Sequence, residues 1–356
     1  MPVSRMSGFG LGSPSARRQR LVDAGWITPV EAASLADGAG DPGVLSEDVV
    51  GQHRLPLSLV PNVRINGRDL LLPMATEEAS VVAGIARVAA LLRDGDGVRG
   101  APGARGLAAQ ILLSGGDAAP WLASRREHLR ALLDRDHPQL CAAGGGVEHL
   151  AVRGSPVGQS LWIEVRVGDA MGAHAVDRMA ETLGRAWETE NPGGRVVAAI
   201  VSNWPVGEPA TVEAEVSIQE LARAGRSGGE VAADIVRLCA WAQEDPRRRV
   251  THLKGAMNGI HGVLSAFRQD LRAVDAAALS AVWNDLEGVR LPLWERRGDH
   301  LVGAAALPIP CGIVGRGQAA PVLEMLRGLA GIHTGGDLEV VALAAGLLSN
   351  LAALQV

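Results

Sequence analysis

The run Arg248-Arg249-Val250-Thr251-His252-Leu253-Lys254-Gly255-Ala256-Met257-Asn258-Gly259-Ile260 sets a lysine between a threonine and an asparagine, with a carboxylate, Asp270, further on. An ammonium in that company suits donation to a carbonyl oxygen on which charge develops during reaction. Gly255 and Gly259 lie one helical turn apart, so a second backbone can come close there. Taken alone, the Lys-Gly pair reads equally as a surface lysine ahead of a core helix. A second stretch, Asn66 to Ala83, carries Glu77 and Glu78 between a buried-looking strand and an apolar helix. A carboxylate at such a junction can be desolvated and its pKa raised toward neutrality, as a general acid requires. The macrodipole alone also favours an acid pair at a helix start.

These residues need elements to hold them. Asp245-Pro246 closes a helix predicted over Val231–Glu244, whose Ile235, Leu238, Cys239 and Ala242 share one face. Lys254 then falls at or near the start of an apolar helix, Ala256–Phe267. Upstream, Leu55–Leu72 alternates and turns at Asn66-Gly67, a hairpin signal. A helix over Glu78–Leu92 follows, and the Gly/Pro-rich stretch Gly95–Gly106 reads as a domain boundary. Near the N-terminus, Thr28-Pro29 reads as an N-cap with proline at N1. No strand precedes Gly8, Gly10 and Gly12, so they read as a terminus and not a phosphate loop.

Residues 105–204 have their own rhythm. Strands are predicted at Ala108–Leu113, around Leu150, at Leu161–Val167, at Arg195–Val201 and, just beyond, at Val212–Ile218, with helices at Trp121–Leu133 and Asp169–Trp187. This β-α-β-β-α-β order predicts a small sandwich of helices on an antiparallel sheet. Gly144-Gly145-Gly146 reads as a tight turn. Asp169-Ala170-Met171-Gly172-Ala173-His174 is built of small residues at a helix start, where a pyrophosphate can approach. No G-x-G-x-x-G follows a strand, so this is not a Rossmann unit. The last helix is predicted over Leu338–Leu354.

Composition bounds the function. The 356 residues, 47% hydrophobic and 21% charged, allow two domains and a large core. A net charge of -5 without a basic stripe argues against nucleic acid as a partner. Cys141, Cys239 and Cys311 lack metal spacing and fit buried thiols in a reducing cytoplasm; no metal is expected. No signal-peptide pattern opens the chain. The apolar run Val81–Leu92 is interrupted by Arg87 and is too short to cross a bilayer, so no membrane partner is expected. With no tyrosine in the chain, no tyrosine serves as a catalytic acid.

Glu47-Asp48-Val49-Val50-Gly51, Pro73–Ser80, Asp169–His174 and Thr251–Asn258 with Asp270 occur in the order and spacing of one family. Together they resemble the 3-hydroxy-3-methylglutaryl-CoA reductase family, its bacterial class II branch in particular, over nearly the whole chain. The resemblance implies an α+β fold with a large, mostly helical substrate domain, residues 1–104 and 205–356. A small ferredoxin-like dinucleotide domain, residues 105–204, is inserted in it. It implies two hydride transfers from NADPH or NADH that turn an acyl-CoA thioester into an alcohol, mevalonate. Glu78, Lys254 and Asp270 would be the catalytic unit. Ser80, Asn203, Arg248, Thr251 and Asn258 would position the acyl substrate. Asp169, Ala170, Met171, Gly172, Ala173 and His174 would hold the cofactor. The Glu47–Gly51 segment would lie at the subunit interface of a homodimer or a higher symmetric oligomer.

The chain also departs from the family's pattern. Asp48 and His174 replace asparagines, Leu253 stands where asparagine is usual, and Arg316 interrupts a glycine pair after the late-strand-like Pro308–Gly315. A basic residue expected near Gly10 is missing. His137-Pro138 lies where some members carry an acid that selects NADH, and its lack leans toward NADPH. The chain stops at Val356, where the family continues into a flap whose histidine protonates the departing thiolate. The expectation is therefore a flapless reductase, weaker on thioester than on aldehyde. The alternatives are a reductase scaffold turned to other chemistry, as on a secondary-metabolite intermediate, and a non-catalytic binding homologue.

Overall fold

The computed structural model describes residues 13–25, 27–36, 48–51, 53–223, 225–315, 318 and 320–355. Gly8, Gly10, Gly12, Glu47, Arg316 and Val356 lie outside these residues. The chain divides into two compact units, Met1–Pro56 and Leu57–Val356.

The first unit carries α1 (Pro14–Asp23) and α2 (Pro29–Ala36). The expected cap at Thr28 is a reciprocal pair. The Thr28 amide donates to Glu31 Oε2 at 2.7 Å, and the Glu31 amide donates to Thr28 Oγ1 at 3.2 Å. Arg17 and Arg18 donate to the carbonyls of Val49 and Val50, tying α1 to the segment beyond α2.

The second unit opens with a hairpin, β1 (Leu57–Ile65) and β2 (Arg68–Ala75). Asn66 and Gly67 both have positive φ, 50° and 75°, as a type I′ turn demands. Then follow α3 (Ala79–Arg93), β3 (Val98–Ala101), β4 (Gly106–Ser114), α4 (Ala118–Arg135), α5 (Pro138–Ala142), β5 (Gly146–Ser155) and β6 (Gly158–Arg166). Next come α6 (Ala173–Glu190), β7 (Arg195–Ser202), β8 (Ala210–Ser217), α7 (Gly228–Glu244), α8 (Pro246–Ala266) and α9 (Leu271–Trp283). The chain closes with β9 (Arg290–Arg297), β10 (His300–Leu307), α10 (Pro321–Ala330) and α11 (Gly335–Leu354).

Two sheets form, each with its own core. The larger has the order β2-β1-β3-β8-β10-β9, antiparallel except where β1 meets β3. Its core is built around α11, which is buried on nearly every side. A helix apolar all round belongs in an interior. With mean hydropathy 1.6, α11 is long and apolar enough to cross a membrane, and it far exceeds the Val81–Leu92 run in that respect. Here it is the central helix of a packed core.

The smaller sheet, β5-β6-β4-β7, is antiparallel throughout and is covered by α4 and α6. In chain order this is β-α-β-β-α-β with the ferredoxin-like arrangement expected for residues 105–204. Its core draws only on residues between Leu107 and Val201. The triple glycine makes the expected turn, with Gly144 and Gly146 at positive φ.

Two expectations are corrected and one stretch gains an element. Gly95–Gly106, read as a boundary, also holds β3, an interior strand of the large sheet. Gly100 is needed there, since a Cβ would stand 2.8 Å from Thr211 O and from Val340 Cγ1. Asp169–Gly172 is a turn and loop that ends on left-handed Gly172, and α6 starts only at Ala173. Pro308–Gly315 is a loop with a single bridge, Val314 to Ala170. Two prolines in that loop cannot donate to a ladder. Helices α9 and α10 and strand β9 had no sequence counterpart.

Candidate active site

Asp245 closes α7 and opens α8. Its amide donates to Trp241 O at 2.9 Å, and its carboxylate accepts from the Arg247 amide at 2.9 Å. Pro246 at N1 is preset for the helix. No breaker follows, so α8 runs through Arg247–Leu253, and Lys254 lies inside the helix and not at its start. Arg248, Thr251, Lys254 and Asn258 recur at helical spacing and form one exposed to half-buried face. The opposite face, Leu253, Ala256, Met257 and Ile260, is buried in the core.

Lys254 is the only lysine among 34 basic residues, the other 33 being arginine. It is exposed, and among the described residues its ammonium has no carboxylate partner. The Arg248 guanidinium lies 5.8 Å from the Trp241 ring centroid, a stacking contact that holds it beside Thr251. His252 is a core residue. Its Nε2 lies 2.5 Å from Pro292 O, and burial pushes its pKa down, so the ring stays neutral.

The two glycines divide their work. A Cβ on Gly259 would stand 2.2 Å from Ala345 O, so α8 and α11 touch backbone to backbone there. At Gly255 a Cβ would meet only Ala353 Cβ at 3.8 Å. The close approach is thus helix against helix, and of these two glycines Gly259 is the one that requires it. Gly262 makes room for Met74, where a Cβ would stand 2.5 Å from Cε. That contact docks the end of β2 on α8 and brings the β2–α3 turn to it.

Glu78 is the N-cap residue of α3, but its carboxylate does not cap. It accepts from Ser80 Oγ at 2.8 Å instead. The desolvation expected of Glu78 is absent in the single chain, where the side chain is exposed because the turn projects beyond the core. Asp270 also differs from expectation. It caps α9, accepting from the Arg272 and Ala273 amides at 3.1 and 3.3 Å, and pairs with Arg272 Nε at 3.0 Å. The Arg272 bond holds its carboxyl below the usual range. Twelve residue steps of α8, about 18 Å at 1.5 Å each, separate Lys254 from Ala266. The chain by itself therefore assembles the Arg248–Asn258 face and the Ser80–Glu78 pair, but no Lys254–Asp270 ion pair.

Gly172 opens α6 at φ 90°, and a Cβ there would stand 2.3 Å from Val167 Cγ1. No side chain caps α6 and no acid stands in its first turn, so its leading amides are unclaimed. Such an end suits a phosphate. Asp169 points elsewhere: its Oδ1 accepts the Gly335 amide at 2.7 Å, pinning the loop to α11. The Ala170 backbone bridges Val314, and His174 is exposed on the first turn. Asn203 is exposed just after β7 and lines a narrow cleft with Met171, Arg105 and Glu339. Sequence reasoning missed Arg105 and Glu339, although one glutamate inside the apolar run Leu338–Leu354 was a usable signal.

Comparison with known proteins identifies the family. The profile of the family described as hydroxymethylglutaryl-coenzyme A reductase matches residues 15–356. The chain is 30% identical to the 3-hydroxy-3-methylglutaryl-coenzyme A reductase of Archaeoglobus fulgidus, over 99% of this chain and 82% of that protein. It is 26% identical to a probable reductase of Borreliella burgdorferi, over 87% of this chain and 72% of that protein. A structure of the class II enzyme from Streptococcus pneumoniae, bound to NADPH in open conformations, superposes with TM-score 0.80 and 30% identity over 98% of both chains. Its motifs, its fold and these relatives place the chain in the hydroxymethylglutaryl-coenzyme A reductase family.

Proposed function

We propose that the chain is a class II reductase of hydroxymethylglutaryl-CoA that uses NADPH. The observation that carries this reading is the single exposed face of α8 bearing Arg248, Thr251, Lys254 and Asn258 around the chain's one lysine. The relative from Streptococcus pneumoniae is bound to NADPH, and the unclaimed amides at the start of α6 fit its phosphates. Residues 105–204 would be the dinucleotide domain, with Asp169–His174 at the phosphate end.

The reaction reduces a thioester to a hemithioacetal, which collapses to aldehyde and thiol, and then reduces the aldehyde to the alcohol. NADPH, when bound, supplies hydride to the carbonyl carbon. Lys254 donates to the oxygen that gains charge in each reduction. Glu78, kept from capping its own helix by Ser80, is the proton donor and acceptor. Arg248, fixed against Trp241, pairs with the substrate carboxylate, while Thr251, Asn258 and Asn203 orient the acyl part.

A second copy completes the site. Glu78 is exposed and Lys254 unpaired in one chain, and both need a drier surrounding to reach full effect. The outer face of the β1–β2 hairpin exposes Leu57, Leu59 and Leu71, an apolar strip suited to a twofold contact. The three free cysteines are consistent with a reducing cytoplasm.

The test follows NADPH oxidation with hydroxymethylglutaryl-CoA and with mevaldehyde, alongside sedimentation. Turnover of either compound and a species of roughly twice the 37.0 kDa chain mass are expected. If neither compound is reduced with NADPH or NADH, the reading yields to a repurposed scaffold.

A further inference from the structure

Arg105 is the last residue before β4 and the small sheet, and its guanidinium is a four-way junction. Nε donates to Gly168 O at 2.6 Å, and the terminal nitrogens donate to Ala170 O at 3.2 Å and to Cys311 O. The fourth partner is Glu339 Oε1 at 2.6 Å. Arg105 and Glu339 are only 12% and 8% exposed. Glu339 Oε2 also accepts the Gly103 amide at 3.2 Å, so the carboxylate holds both the arginine and the chain leading to it. Gly335 exists to admit this group, since a Cβ there would stand 2.5 Å from the guanidinium.

Gly168 and Ala170 flank Asp169, whose carboxylate holds the Gly335 amide. The segment that sets the start of α6 is therefore gripped by Arg105 at the Gly168 and Ala170 carbonyls, by α11 at the Asp169 carboxylate, and by the Ile313 amide, which donates to Asp169 O at 2.9 Å. None of these contacts reaches the amides of α6 that would meet a ligand. We propose that Arg105 and Glu339 are positioning residues for dinucleotide binding, holding the Gly168–Gly172 loop so that the first turn of α6 faces the cofactor phosphates. This rests on the reading of α6 as the phosphate end of the cofactor site.

The pair also carries a pH signature. Burial raises Glu339 to about 7, against the opposing pull of Arg105. The other titratable groups around it are the Cys311 thiol, pushed up to about 12 by burial, Asp169, Glu208 across the cleft, and Asp337 on its own helix. Burial thus places Glu339 near neutrality. Above about pH 7 it is ionised and grips Arg105; below, it is neutral and the grip loosens.

The experiment measures NADPH affinity by titration on the full chain, from pH 6 to 8, together with turnover. The wild type should bind about tenfold more weakly at pH 6 than at pH 8, in step with ionisation of one group. Glu339→Gln should bind about tenfold more weakly at pH 8, with a flat profile and turnover at saturating NADPH within about twofold. The double variant Arg105→Met/Glu339→Leu replaces a buried ion pair by apolar groups, a change often neutral for stability. It should fold and show the same loss of affinity, and Arg105→Lys should restore part of it. A pH-independent wild-type affinity, or a folded double variant that binds like the wild type, overturns the inference alone. No NADPH binding by the wild type overturns the inference together with the dinucleotide reading.

Discussion

Ser80 Oγ donates to Glu78 Oε1 at 2.8 Å across the first turn of α3. This bond turns the carboxylate away from the amides of its own helix, which an N-cap side chain would otherwise take. Glu78 is thus held as an acceptor at the tip of the β2–α3 turn, with one oxygen committed and the other available.

Replacement of Glu78 by Gln should therefore remove proton transfer without removing the fold. Turnover should fall by about 10²- to 10⁴-fold, the range for one positioned acid or base. Substrate affinity, read from single-turnover experiments, should change little. A Glu78→Gln enzyme with more than a tenth of wild-type turnover would assign the proton to another group.

Lys254 offers a clean handle, because it is the only lysine in the sequence. Lys254→Ala should cost about 10²- to 10³-fold in turnover, as for loss of one oxyanion donor. Lys254→Arg should not rescue it, since a planar fork does not reproduce a compact ammonium. An amine-acylating reagent should label one side chain besides the terminal amine. Substrate should protect that side chain, and peptide mass mapping reads the result.

The two glycines of α8 should respond oppositely to alanine. Gly259→Ala would force a methyl to 2.2 Å from Ala345 O and should destabilise by about 1–3 kcal/mol. Gly255→Ala meets only ordinary contact at 3.8 Å and should gain up to about 1 kcal/mol from helix propensity. Denaturant unfolding of the two variants decides the matter, and equal shifts would refute the assigned contact.

Asp270 should show its cap in the acid limb of stability. Arg272 lowers its folded pKa, so the folded state binds fewer protons than the unfolded one between the two values. Its contribution is complete above the ordinary carboxylate pKa near 4 and is lost as pH falls through the lower folded value. Asp270→Ala should cost about 1 kcal/mol at pH 7, the usual worth of a cap, and progressively less below pH 4. Unfolding curves at pH 7 and pH 3 that differ by the same amount between wild type and variant would exclude this role.

How much of the site was legible depended on how local its cause was. The hairpin at Asn66-Gly67, the Thr28-Pro29 cap and the Asp245-Pro246 break came directly from turn and capping chemistry, which acts over a few residues. The shared face of Arg248, Thr251, Lys254 and Asn258 followed from helical spacing once α8 was known to be continuous. The start of α8 was misplaced because Lys254-Gly255 looked like a boundary, whereas Gly255 is tolerated in mid-helix beside α11. The strand β3 was hidden because its glycine serves a neighbour, Val340, that is distant in sequence.

By itself the sequence determined the motifs and the β-α-β-β-α-β order, since these are set by residue type and short-range periodicity. Only the tertiary structure decided their partners. It gave Asp270 to Arg272 and, among the described residues, gave Lys254 no carboxylate partner, about 18 Å of helix from Ala266. It also set Glu339 against Arg105, 234 residues apart, beneath the loop that opens α6. Such pairings depend on which surfaces must be buried together, a property of the whole packed chain that no local pattern encodes.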